Sequence, residues 1–213
     1  MKTDDLVAML AAGDVAVPRR TAARRVALAV LMGLPVSLAI MLAGYGPRHD
    51  LVQAMFWPMF WVKLLFPLCI AAAGFVMVQR LARPGVRVRR AWAGAAVPVL
   101  AIWALAVVAW FTVPDEARMP SLMGQSWRVC AASIGLMALP VFAATLVALR
   151  GLAPTQPALA GAAAGALAGG VGAAVYALHC IELTAPFLAV WYVSGIAVPV
   201  LVGAVLGPRL LRW

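Results

Sequence analysis

Charges are spaced too far apart along this chain for an ordinary water-soluble fold. Arg25 to Arg48 encloses 22 uncharged residues, Arg90 to Asp115 encloses 24 and Arg128 to Arg150 encloses 21; Arg150 to Glu182 encloses 31 and Glu182 to Arg209 encloses 26. Each interval holds the roughly 20 apolar residues a helix needs to cross the hydrocarbon core of a bilayer. A sixth stretch is interrupted by Lys63 and is placed at 61–79, with Lys63 near one end, where its stem can snorkel toward headgroups. Only 11% of the 213 residues are charged, against about 25% in an average soluble domain, and a soluble fold this small cannot hide so much apolar surface. The expected fold is all-α: a polytopic integral membrane protein, a bundle of six transmembrane helices at about 26–44, 61–79, 91–113, 129–149, 157–179 and 186–206. Residues 1–25 form an N-terminal segment, 26–208 the membrane domain and 209–213 a short tail. The first apolar run, Val26 to Gly44, is too long for a secretory h-region and precedes further spans, so it reads as a retained helix.

The loops give the orientation. Lys2, Arg19, Arg20, Arg24 and Arg25 precede the first span, and Arg80, Arg83, Arg87, Arg89 and Arg90 fill the second loop. With Arg150, Arg209 and Arg212 they place 13 basic residues on one side, against three (Arg48, Arg118 and Arg128) on the other. The positive-inside rule then puts both termini in the cytoplasm, N-in and C-in. The net charge of +10 tracks these span ends and forms no basic face interleaved with aromatics, so direct nucleic-acid binding is not expected. Phe56, Trp57, Phe60, Trp61, Trp110, Trp127 and Trp191 collect at the outer edge as an interfacial belt. Leu51 to Val62, broken by Pro58, is expected to run along the outer surface before turning inward.

Two further features concern packing and docking. Gly161, Gly165 and Gly169 form a small-xxx-small face suited to close helix contact. In the N-terminal segment Thr3 can cap a helix whose first turn carries Asp4 and Asp5 and whose stop is Gly13. Leu6, Met9 and Leu10 share one face of it. So short a helix is marginal alone in water and needs a surface, either the inner leaflet or a protein.

Three cysteines carry the possible chemistry. Cys69 falls mid-span, where a free thiol behaves as a small buried hydrophobe. Cys130 lies 20 residues before Arg150 and Cys180 lies 23 after Pro157, or about 30 and 35 Å of helix from the inner face. Both therefore reach the outer membrane face, although 50 residues separate them. In a Gram-negative envelope that face is oxidising, and a thiol pair there can form a disulfide or bind a soft metal. The run His179-Cys180-Ile181-Glu182 adds an imidazole and a carboxylate, so Cys130, Cys180, His179 and Glu182 are candidate ligands for copper or zinc. Two unrelated interfacial cysteines would show the same spacing, and no zinc-finger pattern is present. Within the spans there is no acid to serve a proton relay, and CxxC, Walker, HExxH and GxSxG patterns are absent, so an enzyme is not expected.

The six short spans, the segment Asp-Leu-Val-Ala-Met-Leu near the N-terminus, Phe60-Trp61-Val62-Lys63, and Leu178-His179-Cys180-Ile181-Glu182 leading to Trp191-Tyr192 resemble the NrsF type of membrane anti-sigma factor over essentially the whole chain. The resemblance implies a bacterial inner-membrane protein, with the lipid bilayer as its solvent, that holds an extracytoplasmic-function sigma factor inactive. It implies release when two outward cysteines, here Cys130 and Cys180, meet metal or oxidative stress. No cofactor is obligatory on this reading; a soft metal ion (copper, zinc or cadmium) would be an inducer. The sigma-binding surface is taken as the N-terminal stripe of Leu6, Met9 and Leu10, with the Arg80 to Arg90 loop second. A small metal or solute transporter with the cysteines as an outer capture site is the competing class.

Overall fold

The computed structural model describes residues 3–12, 21–83 and 89–212. Its elements, in chain order, are ten α-helices and one π-helical turn: α1 (Thr3–Ala12), α2 (Thr21–Gly44), α3 (Leu51–Ala54), α4 (Pro58–Leu81), α5 (Arg89–Thr112), α6 (Asp115–Met123), α7 (Trp127–Arg150), α8 (Pro157–Ala177), α9 (Ala185–Phe187), the π turn Leu188–Tyr192, and α10 (Val193–Leu210). Six helical stretches are long and apolar enough to cross a membrane, carried by α2, α4, α5, α7, α8 and the run from α9 to α10. They alternate in direction, so the bundle has a basic end, with Arg25, Arg80 and Arg150, and an aromatic end, with Trp57, Trp127 and Trp191.

The bundle is organised around α8. This helix is built almost wholly of Ala, Gly and Val, and every residue from Ala160 to Ala177 is buried. Helices α4, α7 and α10 close around it. Its glycines set the approach distance. A methyl group added at Gly161 would fall on the carbonyl oxygen of Gly203, and one at Gly165 on that of Pro199, both in α10 of the same chain. At Gly169 it would meet the Cα of Ile196 at 3.1 Å. On the other faces Gly172 lies against the α7 backbone, where an added methyl would come 2.7 Å from Ala138 N, and Gly170 lies against α4, where it would come 2.5 Å from Pro67 O. In a bilayer, where lipid is as apolar as leucine, such close backbone packing replaces hydrophobic burial as the force joining helices.

Several sequence expectations shift. Pro58 does not break a surface run: it occupies the first turn of α4, where its missing N–H costs nothing, so the second span begins three residues earlier than 61. Only α3 and the turn after it lie outside that span. The loop before Cys130 contains a further helix, α6, started by Asp115 and Glu116 in its first turn and stopped at Gly124, whose φ is +56°. Cys69 is exposed on the outside of α4 and is not a core residue. Lys63 does not snorkel outward; it is wholly buried, pointing into the bundle. Helix α1 covers Thr3–Ala12, but the side chains of Leu6, Met9 and Leu10 lie outside those described, as do Gly13 and residues 84–88 of the basic loop.

Candidate functional site: a buried thiol cluster at the aromatic end

Cys130 sits in the first turn of α7, where its N–H bonds to the Ser126 carbonyl at 3.0 Å. Cys180 sits just beyond α8, in a turn where the N–H groups of His179 and Cys180 both bond back to the Tyr176 carbonyl at 3.0 Å. This turn folds the chain over the bundle end and aims Cys180 inward. Cys130 is 0% and Cys180 2% exposed. All three cysteines are free thiols. Cys130 and Cys180 belong to one buried core cluster, and the Ser126 hydroxyl stands 3.9 Å from the Cys180 sulfur.

Cationic side chains hold the Cys180 peptide. Lys63 donates to the carbonyls of Cys180 and, at 2.8 Å, of Glu182. Its ammonium also lies 5.4 Å from the centre of the Tyr192 ring, a cation–π contact. Among the described residues no carboxylate pairs with it: the two ion pairs are Arg48–Asp50 and Arg118–Asp115. Arg48 donates to the Cys180 carbonyl at 3.3 Å while its Nε and Nη2 grip the Asp50 carboxylate at 2.7 Å each. That fork pushes the Asp50 carboxyl down to about 2 and the Arg48 guanidinium up, the hydrogen bond between them being the main cause in both. Arg48 is thus neutralised and Lys63 is not.

The proposed metal set does not converge. The Nδ1 of His179 pairs with the Gly46 carbonyl at 2.9 Å, and its ring stacks edge-on against Tyr45. Glu182 accepts the Gln125 N–H at 2.6 Å through Oε1, under the turn at Gly124. Among the described residues no three His, Cys, Asp or Glu side chains gather as metal ligands. The arrangement presents two thiols, short of a closed four-ligand site.

Sequence reasoning missed three members of this cluster. Lys63 was visible as the one charge inside a span and was assigned to the interface. Ser126 carried no signal. Tyr192 is brought in by the π turn, a local irregularity that often accompanies functional sites. Its ring is fully buried against Tyr176 and Phe187, with centroids at 6.0 and 6.5 Å. Its hydroxyl is the sole buried side-chain nitrogen or oxygen among the described residues that has no hydrogen-bond partner.

Along its whole length the chain resembles known proteins. A family model described as negative regulator of sigma F, NrsF, matches residues 10–213. The chain is 46% identical over 213 residues to the probable anti-sigma-F factor NrsF of Azospira oryzae, with the whole of both chains covered. It is 42% identical over 214 residues to the anti-sigma-F factor NrsF of Caulobacter vibrioides, again over the whole of both. No solved structure matches it. Over its full described bundle, and with matches of this extent, the chain belongs to the NrsF family.

Proposed function

We propose that the chain is an inner-membrane anti-sigma factor that holds an extracytoplasmic-function sigma factor at its basic, cytoplasmic end and lets it go when Cys130 and Cys180, at the periplasmic end, are joined. Family membership and the names of the two relatives support the sigma role. The observation that carries the sensing half is the co-burial of two free thiols from distant parts of the sequence. The 13 to 3 distribution of basic residues supports the orientation. Helix α8 leads straight from the Cys180 turn to the basic end and packs on three neighbours, so a change in how the outer ends of α7 and α8 meet is felt along the bundle. If the bundle has two packings, joining the sulfurs biases one of them. A tenfold drop in sigma affinity needs a bias of only about 1.4 kcal/mol.

Oxidation to a disulfide is one way to join the sulfurs. A soft metal ion bridging two thiolates is the other; with His179 and Glu182 engaged elsewhere, the thiolates would be its only protein ligands. Sigma docks on the α1 stripe, Leu6, Met9 and Leu10, in this reading. Against a transporter, the buried polar side chains distant from the cluster, Ser37 and Thr145, bond back to carbonyls of their own helices. The test is capture of sigma on membranes carrying the intact chain or the Cys130→Ser and Cys180→Ser variants, before and after oxidation. Release from the intact chain alone supports the reading; equal release from all three overturns it.

A further inference from the structure

The two buried thiols are not equivalent. Among the described residues no hydrogen bond to the Cys130 sulfur is formed, and the thiol sits in the apolar core cluster, with buried Ser133 one turn along α7. Polar groups gather at Cys180. The Ser126 hydroxyl is 3.9 Å away, and the Lys63 ammonium is anchored on the carbonyl of the same residue. The Tyr192 hydroxyl, on the ring that faces the Lys63 ammonium, has no hydrogen-bond partner. That last group is a fully buried donor with nothing to donate to, which is unfavourable. Lys63 is a buried cation without a carboxylate, a costlier arrangement still. Both costs fall when an anion or an acceptor oxygen comes to Cys180. The site is also shallow, since Ile181, the next residue, is exposed.

We propose that Cys180 is the sulfur that reacts first with a hydroperoxide, that Lys63, Tyr192 and Ser126 are the donors serving that step, and that Cys130 resolves it. The proposal rests on reading the pair as a thiol sensor and assigns the order of events within it. The Cys180 thiolate attacks the nearer peroxide oxygen. The S–O bond forms, the O–O bond breaks, and the sulfur loses two electrons to the peroxide. The departing hydroxide, or alkoxide from an organic hydroperoxide, takes a proton supplied through the donor set and leaves as water or alcohol. The donors act where negative charge develops, on sulfur before attack and on the leaving oxygen after it. The Cys130 thiol then attacks the Cys180 sulfenic acid, forming the S–S bond and releasing one water. Among the described residues none of these donors hydrogen-bonds the Cys130 sulfur, so the reverse order lacks that help.

The test uses the full chain in detergent or nanodiscs, hydrogen peroxide as oxidant, and a sulfenic-acid trap such as dimedone read by mass spectrometry. The Cys130→Ser variant should accumulate the adduct at Cys180, and the Cys180→Ser variant should show none at Cys130 above the level of lipid-facing Cys69. In the Cys130→Ser background, Lys63→Met should slow adduct formation at least tenfold, with partial recovery in Lys63→Arg. Tyr192→Phe, which removes one oxygen from the same packing, should slow it severalfold and serves if Lys63→Met does not fold. Trapping at Cys130 in preference to Cys180 overturns the order. An unchanged rate in Tyr192→Phe, or in a folded Lys63→Met, overturns the donor set. No sigma factor enters the measurement, so its outcome is separate from that of the anti-sigma reading.

Discussion

Helices α8 and α5 are both long enough to span a bilayer, yet they occupy opposite places in the bundle. The buried share is 89% for α8 and 6% for α5, and α8 is the least hydropathic of the six spans. In water the most apolar helix would take the centre. Here the order is reversed, because lipid accepts leucine and valine as readily as a protein core does, whereas only glycine and alanine let backbones touch. Helix α5 leans on α4 and on the segment after α8, and turns Val97, Leu100, Val107 and Phe111 outward. The cysteines repeat the contrast: Cys69 shares the outward environment of α5, and Cys130 and Cys180 share that of α8.

Substitutions that exchange these environments test the contrast. The largest effect is expected at α8. Gly165→Leu drives a side chain into the α10 backbone at Pro199 and should cost on the order of 3 kcal/mol or more, seen as loss of monodisperse protein in detergent. Val97→Leu on α5 should leave yield and thermal midpoint unchanged, and equal losses at both sites would erase the distinction. Next comes Lys63→Met, which leaves the Cys180 carbonyl to Arg48 alone and strands the Glu182 carbonyl, at about 1–3 kcal/mol for an unsatisfied group. Its thermal midpoint should fall clearly, while that of outward-facing Leu65→Met should not.

A smaller effect on stability, but a complete one on response, is expected at the thiols. Cys130→Ser or Cys180→Ser alone should abolish oxidant-triggered release of sigma as fully as the double variant, with Cys69→Ser silent in the same reporter assay. A response that survives either single replacement would separate the pair. The smallest effect lies outside the membrane-length helices. The Asp50 carboxyl is held at about 2 against an ordinary 3.8, so the stabilisation from its pair with Arg48 is present above about pH 4 and fades as pH falls toward 2. The midpoint difference between the native chain and Asp50→Asn should therefore shrink over that window. A difference that persists below it would mean the carboxylate acts through something other than its charge.

The membrane architecture was legible because charge exclusion from the hydrocarbon core is severe: five of six spans emerged from gaps between ionised residues. The same rule misplaced Lys63, because one cation near a helix end satisfies it equally by facing headgroups or by facing carbonyls inside. Spacing brought Cys130 and Cys180 to one face but could not show their shared burial, which depends on the turn after α8. His179 and Glu182 were adjacent to Cys180 in sequence and were read as its partners. Both are drawn off by backbone groups of other segments, Gly46 and Gln125, and such long-range competitors leave no local trace.

The π turn at Leu188–Tyr192 also fixes the phase of the last span. One residue more than an α-helix allows is wound into it, so α10 is rotated by about 100° relative to α9. Upstream, Phe187 and Leu188 are locked into the aromatic end; downstream, Gly195, Pro199, Gly203 and Gly207 recur every fourth residue as a buried row. An unbroken helix could not seat both sets at once, since α9 meets α5 and α6 whereas α10 meets α8 and α7. The surplus residue works like a half-step in a screw thread, reconciling two windings that each fit on their own. Deleting any single residue of the five would force a choice between a correctly seated Tyr192 and a correctly seated glycine row.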